Sequence, residues 1–311
     1  MRYLFFDIEG ANCYNFVSKM CTFGYVITDE KFELKSKIDV IINPCSPFDR
    51  HIIRKKIHAY PIETYSTRPP FNYFYKSIKN ILEYNDQLIV GWSIDNDVRY
   101  VYDACKRYSL KQIQYKYLDL QKVIVKLENL ENPPSLESIC EKYGIETLIS
   151  HKSDDDAFLT MKIAQKICEN LNISLKELYE KFDDCSSTVK KFASNLLTDE
   201  ELSNRINRRK IAHLIMSLKQ KDRFESEEIK KEDVYAFSVK VIDKHKTNLK
   251  TIIRHIYDCG ARCANSFSEA NVIISDTKSL KHYKQNYESE TVKVITYKQL
   301  KEMTRLFEKQ K

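Results

Sequence analysis

The sequence predicts an α/β layer fold with a mixed sheet, joined through a charged helical stretch to a second, smaller α/β domain. Strand-like segments come first and then alternate with helical ones, an order that layers helices on a sheet. The 311 residues exceed what one hydrophobic core usually organises. Beyond about residue 183 the pattern shifts to a charged run free of Gly and Pro, including DEELSNRINRRKIAHLIMSLKQKDRFESEEIKKED. With 42% hydrophobic and 31% charged residues, the composition is that of a well-folded soluble protein and excludes a disordered or fibrous one.

Taken in order, residues 3–8 and 21–28 read as strands separated by a polar loop, and 37–42 as a third, so the start is hairpin-like. Apolar spacing predicts a helix over 71–84, a short strand at 87–90 and a second helix over 95–107. Pro133 and Pro134 open a helix that runs through Cys140. Another covers 154–170, with Ala157, Met161, Ala164 and Ile167 on one face. From residue 233 the order is a strand (VYAFSVKV), a helix (NLKTIIRHIYDC), Gly260, short strands near ARCA and NVIIS, a helix, the strand VKVI and a last helix.

The N-terminal MRYLFFDIEG runs into carboxylates at Asp7 and Glu9 and cannot form a signal-peptide core. No window offers the roughly 18 uncharged apolar residues that a membrane span requires. Nine scattered cysteines, an odd number, read as reduced thiols, so a cytoplasmic location is expected. His255, Cys259 and Cys263 recur every four residues, a spacing at which zinc ligands occur. A fourth ligand is missing and Gly260 interrupts the helix, so the segment reads as a helix end and turn.

The net charge of +7 is unevenly spread. Residues 1–170 hold 23 Lys or Arg and 23 Asp or Glu, whereas 171–311 hold 28 and 21. A basic module gains affinity for an anionic polymer through counterion release; a solvated lysine-rich surface is the plainer alternative. Arg205, Arg208, Arg209 and Lys210 form a basic cluster beside the apolar Ile206, Ile211 and Leu214. Nucleic-acid contact is one reading of them, and a solvated helix packing on a neighbouring domain is the favoured one.

Asp7 and Glu9 stand two apart on a buried-looking strand. Both therefore project from one face, which is costly unless cations neutralise them. Hard oxygen ligands suit Mg2+ or Mn2+, and two such ions about 4 Å apart serve the attacking and leaving oxygens of a phosphodiester displacement. His151 lies five positions ahead of Asp156 at the entry to a helix, so one short segment supplies a candidate general base and a metal ligand.

With these residues in view, positions 1–170 resemble the DEDDh exonucleases, the family of bacterial replicase proofreading subunits, RNase T and oligoribonuclease. FFDIEG matches the first motif, GWSIDNDVRYV around Asp97 the second, and SLESICEKYGIE followed by HKSDDDA the third. The resemblance implies an RNase H-like exonuclease domain over residues 1–182. It makes Asp7, Glu9, Asp97 and Asp156 metal-site residues, Asp7, Glu9 and Asp156 holding the catalytic ion. Asp7 shares a second ion that Asp97 supports through water. His151 takes a proton from the attacking water, and nucleoside 5'-monophosphates leave from the 3' end of a nucleic acid. Asp119 sits where the family commonly has an aspartate and takes a structural role here. Asp154 and Asp155 break the spacing from His151 and read as first-turn acids that favour the helix dipole.

Departures from the family bear on substrate. Gly10, Ala11 and Asn12 stand where many members have Thr-Thr-Gly, and Trp92, Ser93 and Asn96 replace a frequent His-Asn pair and a Phe. Tyr14, Phe16 and Trp92 are aromatics that stack on bases in some proteins and fill cores in most.

After a charged helical linker over 183–232, the order of residues 233–311 resembles a BRCT domain. Gly260 matches the turn after its first helix, and NVIIS with DTKSL matches the third strand and next helix. The usual Trp of the last helix is absent, leaving Leu300 or a neighbour to fill the core. No Ser-Gly or Thr-Gly follows the first strand, and Lys278 and Lys281 are the remaining phosphate-contact candidates. Together these readings imply a 3'-5' exonuclease whose partner is a 3'-ended nucleic acid. The C-terminal module favours DNA in repair or replication and offers a DNA or protein contact, while Trp92 leans toward RNA trimming. A binding scaffold on an inactive nuclease fold is the competing class; the intact carboxylate set argues against it.

Overall fold

A computed structural model describes residues 1–55, 59–147, 151–221 and 223–305. Position 222 of the predicted linker and 306–311 at the end of the last predicted helix lie outside the described residues. The chain divides into two compact units, Met1–Leu196 and Leu197–Lys311.

In the first unit the elements are β1 (Arg2–Asp7), β2 (Gly10–Asn12), β3 (Lys19–Met20), β4 (Thr22–Thr28), β5 (Leu34–Ile41), α1 (Arg50–Lys55), α2 (Ile62–Ser66), α3 (Phe71–Leu82), β6 (Gln87–Gly91) and α4 (Asp95–Arg107). They continue with β7 (Lys116–Asp119), α5 (Leu120–Leu127), α6 (Leu136–Lys142), α7 (Ser153–Leu171), α8 (Leu175–Lys181), β8 (Ser186–Thr188) and α9 (Val189–Ser194). The six-stranded sheet has the order β5-β4-β1-β6-β7-β8. β1 runs antiparallel to β4 and parallel to β6, so the sheet is mixed, as the sequence predicts.

Strand alternation divides β1 between two cores. Tyr3 and Phe5 face α7 with Val26, Val90, Ala157, Met161 and Ala164. Leu4 and Phe6 face α3 and α4 with Phe23, Ile89, Ile78 and Val98. The helix predicted to open at Pro133 begins instead at Leu136, because Ser135 caps it by accepting from Ser138 N–H at 3.2 Å. Residues 186–188, inside the stretch read as linker, pair antiparallel with β7 and extend the sheet.

The second unit comprises α10 (Asp199–Ser217), β9 (Val234–Phe237), α11 (Val239–Lys244), α12 (Asn248–Asp258), β10 (Arg262–Cys263), β11 (Val272–Ser275), α13 (Leu280–Tyr287), β12 (Lys293–Thr296) and α14 (Tyr297–Arg305). Its four strands are all parallel in the order β10-β9-β11-β12. The predicted strand VYAFSVKV is cut short: the Ser238 hydroxyl accepts from Val241 N–H and caps α11, turning the apolar alternation of the last residues into a helix. α10 belongs to this unit. Its Ile211 and Ile215 enter the core with Leu249, Ile253 and the fully buried Leu300. Arg208 of the basic cluster forms a two-pronged pair with Asp243.

Candidate active site

β1 ends at Asp7 because the next amide leaves the ladder: Ile8 N–H donates to Asp97 Oδ1 at 3.0 Å. Glu9 therefore lies in the link between β1 and β2, not on the strand that the two-residue spacing suggests. Its backbone fixes it there, the N–H donating to Thr22 Oγ1 at 3.3 Å and the carbonyl accepting from Cys21 N–H at 2.8 Å.

Asp7 pairs with Gly24 on β4, and Gly24 with Asp39 on β5, so the three form one row on the α7 face of the sheet. A Cβ on Gly24 would overlap the backbone of Ser153 and Asp154. The absence of a side chain lets the first turn of α7 rest on the sheet beside Asp7. A hydroxyl bond between Thr22 and Ser153 ties the same turn to β4. Lys37 pairs with Asp155 and lies 3.7 Å from Asp154, whose other oxygen is 2.9 Å from Lys152 Nζ. Both acids are buried and spent on lysines, which leaves Asp156 for the site.

Among the described residues, one grouping has metal-ligand geometry: Asp7, Glu9 and Asp156 offer atoms all within 4.8 Å of one another. His255, Cys259 and Cys263 do not form such a group. Instead, Cys259 Sγ lies 3.5 Å from His255 Nε2 within one helix end. Asp97 stands outside the triad as a buried brace on Ile8.

The electrostatics are those of crowded anions. Burial, then repulsion from Asp97, Glu9 and Asp156, holds the Asp7 carboxyl well above its ordinary range. Burial and Asp156 push Glu9 up to about 8. Burial and Glu137 push Asp156 up to about 7, opposed by a backbone hydrogen bond from His151. Asp97 is also raised well above its ordinary range, chiefly by burial and against the Ile8 bond. A divalent cation fits this donor set: hard oxygens converge, and their ionised forms need a positive charge.

His151 adopts a left-handed backbone (φ 63°) immediately before α7. Its side chain is 47% exposed, with Nδ1 3.9 Å from Glu9 Oε1. It therefore borders the carboxylates from the open side. Asp119 caps α5, accepting from Lys122 N–H at 3.3 Å and pairing with its Nζ at 3.1 Å, which accounts for it structurally. Tyr14 is exposed beside β2, whereas Trp92 packs against the α7-side core.

Sequence reasoning passed over Asp39 and Lys37. Asp39 accepts from Tyr60 Oη at 2.8 Å while its Oδ1 is buried without a hydrogen-bond partner, and burial raises its carboxyl to about 6. The alternation of KSKIDV puts both on one strand face, but only the register with Gly24 shows what that face meets.

The family model described as Exonuclease (RNase_T) matches residues 4–164, just over half of the chain. This chain belongs to that exonuclease family. The matched segment contains Asp7, Glu9, Asp97, His151 and Asp156. Among solved structures, the chain is similar to a 3'-exonuclease described in recognition of a histone mRNA stem-loop, at 14% identity and a TM-score of 0.47, over 54% of this chain and 64% of that one. It is also similar to E. coli exonuclease I in complex with a dA16 oligonucleotide, at 15% identity and a TM-score of 0.48, over 59% of this chain and 43% of that one. A third likeness is to the nuclease domain of 3'hExo, a DEDDh family member bound to rAMP, at 15% identity and a TM-score of 0.46, over 54% of this chain and 91% of that one. The chain thus spans less than two thirds of the first two of these structures. No curated protein matches the sequence.

Proposed function

We propose that the chain is a metal-dependent 3'-5' exonuclease of the DEDDh type that releases nucleoside 5'-monophosphates. The observation that carries this reading is the convergence of Asp7, Glu9 and Asp156 beside His151 in a member of an exonuclease family. Asp7, Glu9 and Asp156 would hold Mg2+ or Mn2+, which supplies Lewis acidity toward the phosphodiester and makes water more acidic. Asp97 keeps the Ile8 amide out of the ladder, orienting Asp7 and Glu9 toward Asp156, and its carboxylate would support a second ion. His151, at the open side, takes the proton from the attacking water and passes it to solvent.

The parallel order β10-β9-β11-β12 supports reading residues 233–311 as a BRCT-like domain, whereas the expected boundary at 182 and linker over 183–232 give way to a first unit that keeps β8 and α9 and a second that takes in α10. We read the substrate as DNA, with that domain as a DNA or protein contact. A cytoplasmic setting accords with nine free cysteines and with the lack, among the described residues, of a helix long and apolar enough to cross a membrane. The test is degradation of matched 5'-labelled single-stranded DNA and RNA with Mg2+, Mn2+ or chelator, beside Asp7→Ala. Stepwise shortening from the 3' end that needs metal and Asp7 is expected, and the faster polymer names the substrate. No cleavage of either polymer under any metal would overturn the reading in favour of a scaffold.

A further inference from the structure

The exonuclease unit carries no net charge of its own. Residues 1–196 hold 27 Lys or Arg and 27 Asp or Glu, while 197–311 hold 24 and 17, so the whole excess of +7 belongs to the second unit. A nuclease must nevertheless bring a polyanion to a cluster of carboxylates that repels it.

Some cations of the second unit are held in ion pairs. Arg208 is paired with Asp243, Lys284 lies 3.3 Å from Glu288, Lys298 3.9 Å from Glu302 and Lys221 3.8 Å from Asp258. One corner differs. The end of α11 and the turn to α12 carry Lys244, His245 and Lys246, and the His245 ring stacks on Tyr297 of α14 at 3.8 Å. Lys244 and Lys301 both bear electrostatically on His245, so they flank the same stack. Lys246 reaches only a hydroxyl, Ser203 Oγ on α10, at 3.2 Å. Lys250 and Arg254 follow one turn apart along α12. Among the described residues none of Lys244, Lys246, Lys250, Arg254 and Lys301 makes an ion pair. Lys244 and Arg254 are exposed, and Lys246, Lys250 and Lys301 are half-buried along their stems.

We infer that this corner, where α11, α12 and α14 meet, is a nucleic-acid surface that grips the phosphate backbone of the strand the first unit degrades. The choice of occupant rests on the exonuclease reading. The physical basis is separate: unpaired cations grouped on one side gain affinity for a phosphate chain by releasing its counterions, whereas paired ones do not. A backbone grip of this kind carries no sequence preference, and it suits an enzyme that must hold whatever end it meets.

The experiment is fluorescence anisotropy of labelled single-stranded DNA and RNA with the full chain in chelator, at salt from about 50 to 200 mM. Binding is compared for wild type, the triple variant K244Q/K250Q/R254Q, and a control triple K278Q/K281Q/K284Q on and beside α13. That helix covers the opposite sheet face against Ile273 and Val294, and the control removes the same charge. The corner triple is expected to bind roughly 10-fold more weakly at about 100 mM salt and to lower the salt slope by about 2, as loss of three single-strand phosphate contacts requires. The control should shift affinity less than about 2-fold. Equal weakening by both triples would reduce the effect to net charge and overturn the proposal, as would no weakening by the corner triple. Retained thermal unfolding midpoints distinguish loss of contact from loss of fold. Because chelator removes hydrolysis, binding without cleavage in the activity assay would sink the exonuclease reading alone, and cleavage with a silent corner triple would sink this one alone.

Discussion

Asp7 and Gly24 face each other across the β1–β4 ladder, and the space above Gly24 is filled by the backbone of the turn that delivers Asp156. A glycine with no catalytic chemistry therefore sets the distance between two carboxylates. Gly24→Ala would force α7 off the sheet at its first turn. We expect a loss of about 1–3 kcal/mol in stability from overpacking, and a fall in kcat of about 100-fold because ligand placement within 1 Å matters. Chemical denaturation and steady-state kinetics check both; a variant of wild-type activity would show that the seat is not needed.

Asp7→Asn removes a carboxyl that burial, then Asp97, Glu9 and Asp156, hold well above its ordinary range, while keeping the shape. Hydrolysis should fall about 1000-fold or more, since several kcal/mol of transition-state stabilisation go with the ion. Folded apoprotein at pH 8 should become more stable, not less, because a buried repulsion disappears. Thermal unfolding in chelator separates the two effects, and a destabilised, active variant would contradict both expectations.

The same carboxylates make apoprotein stability depend on pH in a definite direction. Glu9 is raised to about 8 and Asp156 to about 7, both above their unfolded values, so the folded state holds protons that the unfolded state has lost. Their contribution is complete below about pH 4 and is lost as pH rises through 7 and 8. In chelator the unfolding midpoint should therefore fall between pH 6 and pH 8.5 by about 5 °C, from at least 1–2 kcal/mol. Mn2+ should restore it, with a larger gain at the higher pH. A midpoint that rises over this window would refute the assignment of these groups as buried anions awaiting a cation.

The positions of these groups were legible in the sequence to different depths. Asp97 and Asp156 sit on helices whose periodicity spans thirteen residues or more, and both helices appear where predicted. Glu9 lies beside Asp7 as the two-residue spacing predicts, but in the link after the strand and not on it. The strand ends at Asp7 because a side chain 89 positions away takes the Ile8 amide, and no local pattern announces that. The helix at Val239 was hidden for a related reason, since alternation in VYAFSVKV satisfies a strand until Ser238 caps the backbone. Lys37 and Asp39 escaped notice because an edge strand with alternating charge reads as solvated, and only the approach of α7 gives those charges partners.

His151 borders the site through a half-exposed side chain and is held by backbone geometry instead of side-chain bonds. His151→Gln should lower kcat about 100- to 10,000-fold, the range for losing a general base, with little change in Mn2+ affinity measured by calorimetry. Equal losses in both would make it a ligand.

Lys37 provides the last test, because its charge is placed where metal chemistry cannot use it directly. It pairs with Asp155, lies near Asp154 and passes 5.3 Å from the Phe158 ring, clamping β5 to the first turns of α7. Lys37→Ala leaves two buried carboxylates with Lys152 as their remaining cation. A cost of about 1–3 kcal/mol follows, between the values for exposed and buried pairs. Because the clamp acts on the helix that carries Asp156, weakened Mn2+ binding should accompany the loss of stability. Lys37→Arg should restore most of both, since the guanidinium keeps the charge and reaches the same carboxylates. Loss of stability with unchanged metal affinity would show that the turn stays seated on Gly24 without help from β5, and would assign the hold on Asp156 to the Thr22–Ser153 bond alone.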